Sequence, residues 1–503
     1  MDFTPLVKGH FRNRLQEQVR FIDHADAVQQ GELVKLVETA ALTQMGRRYD
    51  FSTCRTYSDF ASRVPLHRYE DLRPMIMRMV DGEAGVLWPG RTWSFAQSSG
   101  TTDGRSKYIP ITRQALRRNH YQGASDVVAH YLNLNPQSRI FSGKALILGG
   151  SFANELQLKP GVQVGDLSAS LIQNINPLAN LFRVPSKHVA LMADWSEKLP
   201  ALVEASMHQN ITNLSGVPSW FLTMLKQVLE RTGKSCIHEV WPNLEVFFHG
   251  GIAFAPYRQQ YEAICDMSRM HFLDTYNASE GFFAVQTDWD DTAMMLLLDI
   301  GVFYEFLPIE QTDSTEPEVY PIWEVEPGHT YELIITACNG LWRYRIGDTV
   351  TVTQLNPVKI KIAGRTRSFI NAFGEEVMVH NTDQAITQAA QQTGAQVLNY
   401  TVAPVYADDH QSGHHQWLVE FAVQPADLKQ FITLVDKHLQ QANSDYQAKR
   451  AGSIFLAPPT LVVAQPGLFD RWLASTGKLG GQRKVPRLSN DRHIIEQMLT
   501  FKQ

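Results

Sequence analysis

An α/β fold with helix-covered sheets, followed by a smaller α+β unit, is predicted by three observations. Short apolar runs ending in glycine alternate with amphipathic helical stretches from Ser94 onward. The 503 residues exceed the roughly 250–300 that one hydrophobic core organises, so at least two domains are expected. Beyond Gly364-Arg365 the pattern simplifies to one strand–helix–strand–strand–helix–strand unit. These observations set the domains at 1–366 and 367–503.

The first sixty residues read as helical, with Phe21, Ala25, Leu33, Leu36, Val37 and Ala40 at roughly helical spacing. Residues 97–110, Q-S-S-G-T-T-D-G-R-S-K-Y-I-P, read as a tight loop between extended flanks. Ser98, Ser99, Thr101, Thr102 and Ser106 surround Gly100 and Gly104, and Lys107 follows. Glycine tolerates positive φ and lets an anion approach main-chain N–H groups. Hydroxyls and an ammonium add donors for phosphate oxygens. The loop is therefore predicted to cradle phosphate, a surface turn being the alternative. It is not the kinase-type P-loop, because Gly100 and Gly104 enclose three residues rather than four.

Residues 144–149 and 244–249 read as buried strands ending in or before glycine, and 200–209 and 218–232 as amphipathic helices. Trp220, Leu222, Leu225 and Leu229 share the apolar face of the second helix. In the C-terminal unit, helices are predicted at 381–393 and 425–442, and strands at 396–403, 417–423 and 453–463. The run 408–415, D-D-H-Q-S-G-H-H, reads as a solvated hairpin loop rather than a metal site.

Composition excludes several functions. A net charge of −5 and the absence of a basic stripe argue against nucleic acid as a partner. Residues 1–12 carry Asp2, Lys8, His10 and Arg12 and do not form a signal peptide. The most apolar window, 294–307, is interrupted by Asp299, Gly301 and Glu305, so no membrane span is expected. Cys54, Cys236, Cys265 and Cys338 lie far apart, which disfavours structural zinc and disulfides. A cytoplasmic protein with no evident protein partner is expected.

Three further clusters carry chemistry. In 246–253, V-F-F-H-G-G-I-A, a strand ending at Gly250-Gly251 exposes backbone against which a flat base can lie. In 274–281, D-T-Y-N-A-S-E-G, Tyr276 can cover the opposite face of an aromatic base and Glu280 can hold magnesium. A helix start capped by Asn277 or Ser279 is the alternative. In 341–348, L-W-R-Y-R-I-G-D, Asp348 follows a glycine at a strand end, placed to accept from both ribose hydroxyls or to serve as a turn aspartate. Arg343 and Arg345 alternate with apolar neighbours and are expected to share a face that reaches phosphate or a carboxylate.

With the four clusters in this order, the chain resembles the adenylate-forming ligases and, more closely, the auxin-responsive acyl-acid amido synthetases (the GH-three family). Tyr49-Asp50-Phe51, Val64-Pro65-Leu66, Tyr69-Glu70-Asp71 and Val86-Leu87-Trp88-Pro89 resemble that family's approach to the loop, so the likeness runs along essentially the whole chain. It implies a large N-terminal adenylate-forming domain and a small mobile α+β C-terminal domain. It also implies ATP and Mg2+, with a small-molecule carboxylic acid and an amino acid or amine as the other reactants. The acid would attack the α-phosphate of ATP to give an acyl-adenylate and pyrophosphate, and the amine would then displace AMP.

By the same resemblance, Ser98, Ser99, Gly100, Thr101, Thr102, Gly104 and Lys107 form the phosphate loop. Gly250 and Gly251 form the adenine shelf, Tyr276 stacks on the base beside Asn277 and Ser279, and Asp348 holds the ribose. Glu280 is the magnesium ligand, and Arg365 belongs to the nucleotide site where the chain enters the hinge. Lys484 matches the lysine of the mobile domain, a surface lysine being the alternative, and with Lys107 and Glu280 makes up the catalytic set. Val217 and Trp220 line the acid pocket or simply begin a helix, and Arg117 or Arg118 holds a substrate carboxylate or lies on a solvated face. Ala278 replaces a serine of the plant pattern, and Arg367 stands where the wider superfamily has Asp or Lys. Thioester formation with coenzyme A, and a non-catalytic nucleotide- or acyl-binding protein, are the alternatives.

Overall fold

The computed structural model describes residues 2–98, 107–152, 154, 156, 158–252, 254–312, 314–365, 369–407, 413–475 and 485–501. Helices dominate the first eighty residues, among them Thr4–Gln18, Ala25–Ala40 and Tyr69–Val80. They pack on a twelve-stranded sheet that runs through most of the molecule.

One end of that sheet is parallel. Lys144–Ile147, Ile211–Gly216, Val246–Gly250 and His271–Ala278 run side by side in one direction. Continuous apolar runs such as Val246-Phe247-Phe248 suit strands covered on both faces. Antiparallel strands build the other end, including Gly281–Gln286, Thr330–Ala337, Tyr344–Leu355 and Val358–Arg365. A separate three-stranded sheet pairs Ser94–Ser98 antiparallel with Lys107–Ile111 and parallel with Gln163–Gly165.

The helix Pro218–Thr232 shows how local chemistry sets the bounds. Pro218 sits at the first helical position, where its missing N–H has no partner to lose, and Gly233 closes the helix at φ +66°. Phe221, Leu222, Leu225 and Leu229 are buried, while Trp220 is half-buried at the start. The preceding helix begins at Trp195, earlier than the 200–209 read from sequence, because Asp194 caps it by accepting from Ser196 N at 2.8 Å.

After Arg365 the chain builds sheets of its own. Gln396–Val405 and His414–Val423 form a hairpin, and Thr460–Val463 joins in parallel. Helices Val379–Thr393 and Leu428–Ala442 pack together, and two more, Leu468–Ser475 and His493–Thr500, extend the expected unit. The strand predicted from 453 begins only at Thr460. Ser453 sits at φ +53°, and Pro458-Pro459 lack the N–H groups a ladder needs. Ile370, Trp417, Phe431 and Leu439 anchor a core drawn from this unit alone, whereas Phe455 joins a core of the larger part. All four cysteines are free, and no helix among the described residues is long and apolar enough to cross a membrane.

Candidate active site

A cleft of about 1180 Å³ opens between the large sheet and the C-terminal unit. Ser98, Lys107, Tyr276, Glu280, Asp348 and Trp220 are among its lining residues. Each reaches it through a defined element. Ser98 and Lys107 are directly paired at the end of the strands Ser94–Ser98 and Lys107–Ile111 nearest their connection. The segment joining them, with Ser99, Gly100, Thr101, Thr102 and Gly104, lies outside the described residues, as does Lys484.

Tyr276 and Asp348 come from strands separated in the sheet order by three others. Four inter-strand steps of a flat sheet would hold them about 19 Å apart. Yet Tyr276 Oη donates to Asp348 Oδ2 at 2.7 Å, so the sheet curls across this end. Asp348 lies within the strand Tyr344–Leu355, opposite Arg365, rather than at a strand end as its sequence suggested. The side chain of Arg365 is outside what the structure describes.

Ser279 and Glu280 form the turn between His271–Ala278 and Gly281–Gln286. A helix start at this point, the alternative read from sequence, is therefore excluded. Asn277 Nδ2 donates to Thr275 Oγ1 at 3.2 Å, a contact within the same strand. Gly250 ends the strand Val246–Gly250 against Thr275, and a Cβ on it would stand 2.5 Å from the Thr275 carbonyl oxygen. Gly251 turns away at φ +83°.

Glu280 is buried, at 8% exposure. Burial raises its carboxyl pKa above the ordinary value, the Lys107 ammonium draws it down, and Asp348 and Glu376 push it up. Lys107 Nζ stands 3.5 Å from Tyr344 Oη and 5.9 Å from the centre of the Tyr69 ring. Tyr69 is itself fixed, its Oη accepting from Tyr108 N at 2.8 Å. Ser98 Oγ donates to Glu376 Oε2 at 3.2 Å, which brings the C-terminal unit to the mouth of the loop. A buried carboxylate facing a lysine suits a hard cation that takes its remaining ligands from phosphate oxygens. Among the described residues no group of three or more His, Cys, Asp or Glu could hold a metal alone.

Other expectations have mixed outcomes, Arg345 lining the cleft while Arg343 does not. Arg343 grips Glu305 and the carbonyls of Ala61 and Val64. Arg345 grips Glu332 and the Thr312 carbonyl. Both arginines reach carboxylates, but the protein's own. Arg117 is exposed and outside the cleft lining, and Arg118 pairs with Glu32 at 2.8 Å. Trp220 and Val217 do line the cleft, Trp220 Nε1 donating to Phe373 O at 3.4 Å. His415 is fully buried against Glu375 at 2.8 Å, not solvated as its histidine-rich run implied. Residues 408–412 of that run lie outside the described residues.

Sequence reasoning missed Glu376, His249 and Lys449 as cleft residues. His249 stood within a quoted motif, and its Nδ1 lies 3.3 Å from Asp274 Oδ1. Nothing local marked Glu376 or Lys449.

Comparison with known proteins follows the same outline. The GH3 family N-terminal domain matches residues 14–178 and 162–270, the central domain 295–365 and the C-terminal domain 380–493. A probable indole-3-acetic acid-amido synthetase of Arabidopsis thaliana is 23% identical over 95% of this chain and 92% of its own length. A 4-substituted benzoates-glutamate ligase of the same plant is 22% identical over 88% and 89%. The solved structure of an acyl acid amido synthetase in complex with 2,4-DB superimposes with a TM-score of 0.63 at 18% identity, covering 98% of this chain and 96% of that one.

Proposed function

Because the chain belongs to the GH3 family, we propose that it joins a small carboxylic acid to an amino acid or amine, using ATP and passing through an acyl-adenylate. The observation that carries this reading is the meeting of Lys107, Tyr276, Glu280 and Asp348, from four separate strands and turns, in one cleft. Amide synthesis from acids is also what the names of the relatives state of them.

In the first step an acid oxygen bonds to the α-phosphorus and the bond to pyrophosphate breaks. Negative charge grows on phosphate oxygens, where fixed cations act most strongly. Lys107 carries that charge together with the donors of the loop from Ser98. Asp348, held by Tyr276, accepts from the ribose hydroxyls, and the backbone at Gly250-Gly251 lies against the base. Glu280 would hold Mg2+, which when bound supplies charge neutralisation at the phosphates. By the family resemblance Lys484, of the C-terminal unit 367–503, is assigned a role at the same phosphate. In the second step the amine nitrogen bonds to the acyl carbon, the bond from that carbon to the phosphate oxygen breaks as AMP leaves with the electron pair, and the amine proton passes to solvent. Motion of the C-terminal unit between steps would keep water from the adenylate. The free thiols fit the cytoplasm.

Incubation with ATP, Mg2+ and a panel of carboxylic acids tests the proposal. Acid-dependent release of AMP and pyrophosphate is expected, and ADP with phosphate would overturn it. Amide product on addition of amino acids, rather than thioester on addition of coenzyme A, is expected from the preformed adenylate.

A further inference from the structure

We propose that Glu375, held by His415, is a positioning residue. It shapes the turn 371–376 by which the C-terminal unit docks on the larger part, and that docking serves the second step. This rests on the two-step reading above. Glu375 and His415 are both fully buried, and His415 Nε2 donates to Glu375 Oε1 at 2.8 Å. His415 Nδ1 meets no hydrogen-bond partner among the described residues, so the ring is spent on this one contact. The same carboxylate accepts from Ala372 N at 3.2 Å and from Phe373 N at 2.6 Å. Three donors satisfy a buried carboxylate, and they fix which way the peptide groups of the turn face.

With those N–H groups turned inward, the carbonyls of the same two residues meet the larger part. Ala372 O accepts from Tyr257 Oη, and Phe373 O accepts from Trp220 Nε1 at 3.4 Å and Ser219 Oγ at 3.5 Å. At one end of the turn Asn371 Nδ2 donates to Gly251 O at 3.3 Å, and at the other Glu376 Oε2 accepts from Ser98 Oγ at 3.2 Å. The backbone bends sharply to do this. Gly374 sits at φ +87° and Glu376 at φ +37°, a conformation that side chains avoid unless their surroundings impose it. Lys449, of helix Ser444–Arg450, closes the turn from the other side. It is 5% exposed, its Nζ stands 4.0 Å from the centre of the Trp220 ring, and a Cβ on Gly374 would come within 3.3 Å of its Cε. Burial draws the Lys449 pKa down, while Asp445, Asp166, Glu375 and Glu376 hold it up.

The place of Glu376 says which step the docked turn serves. Ser98 is a donor of the proposed phosphate loop, and Glu376 already takes it. Burial raises the Glu280 pKa, and Glu376 is among the charges that add to the rise. A carboxylate there repels the three phosphates of ATP and competes with them for Ser98. The adenylate keeps one phosphate, so the docked turn suits the enzyme once pyrophosphate has left.

The test uses the full-length enzyme and reads the two steps separately. Acid-dependent exchange between ATP and pyrophosphate reads the first, and single-turnover loss of preformed adenylate to an amine reads the second. Glu375→Gln and His415→Leu should each slow the second step about tenfold or more, the usual worth of a charged hydrogen bond, and change exchange less than about twofold. His415→Gln, which returns an N–H close to the place of Nε2, should recover most of the rate. Leu439→Ala removes a fully buried side chain from the same unit without touching the turn, so it should lower the melting temperature and leave both rates of the folded enzyme unchanged. Equal losses in both steps, a loss confined to exchange, or an equal slowing by Leu439→Ala would overturn the proposal. Absence of any acid-dependent exchange by the unaltered enzyme would instead remove the ligase reading, and with it this one.

Discussion

Tyr276 holds Asp348 by a 2.7 Å hydrogen bond while both are almost fully buried. A carboxylate so fixed presents its other lone pairs in one direction, which is what recognition of two vicinal hydroxyls requires. Asp348→Ala should raise the KM for ATP about tenfold to a hundredfold while the protein still unfolds cooperatively. Unchanged ATP kinetics would remove Asp348 from the site. Glu280 makes a different demand. Burial lifts its pKa above the ordinary 4.5, so its charged form is disfavoured in the folded protein. The stability it contributes is present below pH 4.5 and is lost as pH rises through the lifted value. Glu280→Gln should therefore melt higher than the unaltered protein at pH 7 without nucleotide, the gap closing toward pH 4.5. Adenylation should fall on the order of a hundredfold, as for loss of one preorganised charge-stabilising group. Calorimetry across pH and pyrophosphate release measure the two effects. Lys107, Tyr276, Glu280 and Asp348 were legible because each sits in a short run of chemically consistent neighbours. Lys449 and His415 were not, since burial is decided by residues far away in the chain.

At the scale of elements, strand ends and turns place the chemistry. The parallel neighbours Val246–Gly250 and His271–Ala278 bring Gly250 so close to Thr275 that backbone meets backbone. Gly250→Ala should destabilise by about 1–3 kcal/mol, because a carbonyl oxygen cannot swing aside as a side chain can. A lowered urea midpoint with unchanged slope checks this, and an unchanged midpoint would mean the strands yield freely. Helix bounds were legible where punctuation is strong, as at Pro218 and Gly233. Local pattern failed where pairing overrides it. The sequence places Asp348 at a strand end, but the strand runs on to Leu355 because Val358–Arg365 folds back to pair with it. Arg343 and Arg345 have the composition of anion ligands, yet buried Glu305 and Glu332 already engage them.

Across the whole molecule, the cleft is the product of two parts meeting. Asn371 Nδ2 donates to Gly251 O at 3.3 Å, Tyr257 Oη donates to Ala372 O, and Phe455 packs edge-on to Trp195 with ring centres 4.7 Å apart. Phe455 comes from the C-terminal unit but is buried in a core of the larger part. Phe455→Ala should remove about 3–5 kcal/mol, the usual loss for a buried aromatic ring, and remove it where the C-terminal unit joins that core. Calorimetry should then show two transitions where the unaltered protein shows one. A single transition displaced as a whole would indicate that the junction does not depend on this ring. By itself the sequence determined the fold class and the family, and it marked Lys107, Tyr276, Glu280 and Asp348, because these are written in local runs and their order. Tertiary structure alone decided which arginines are free for a ligand, which histidine is buried, and that Lys449 comes to rest on Trp220. Those outcomes depend on desolvation and charge pairing between residues on different elements, and such terms have no signature in any short stretch of chain.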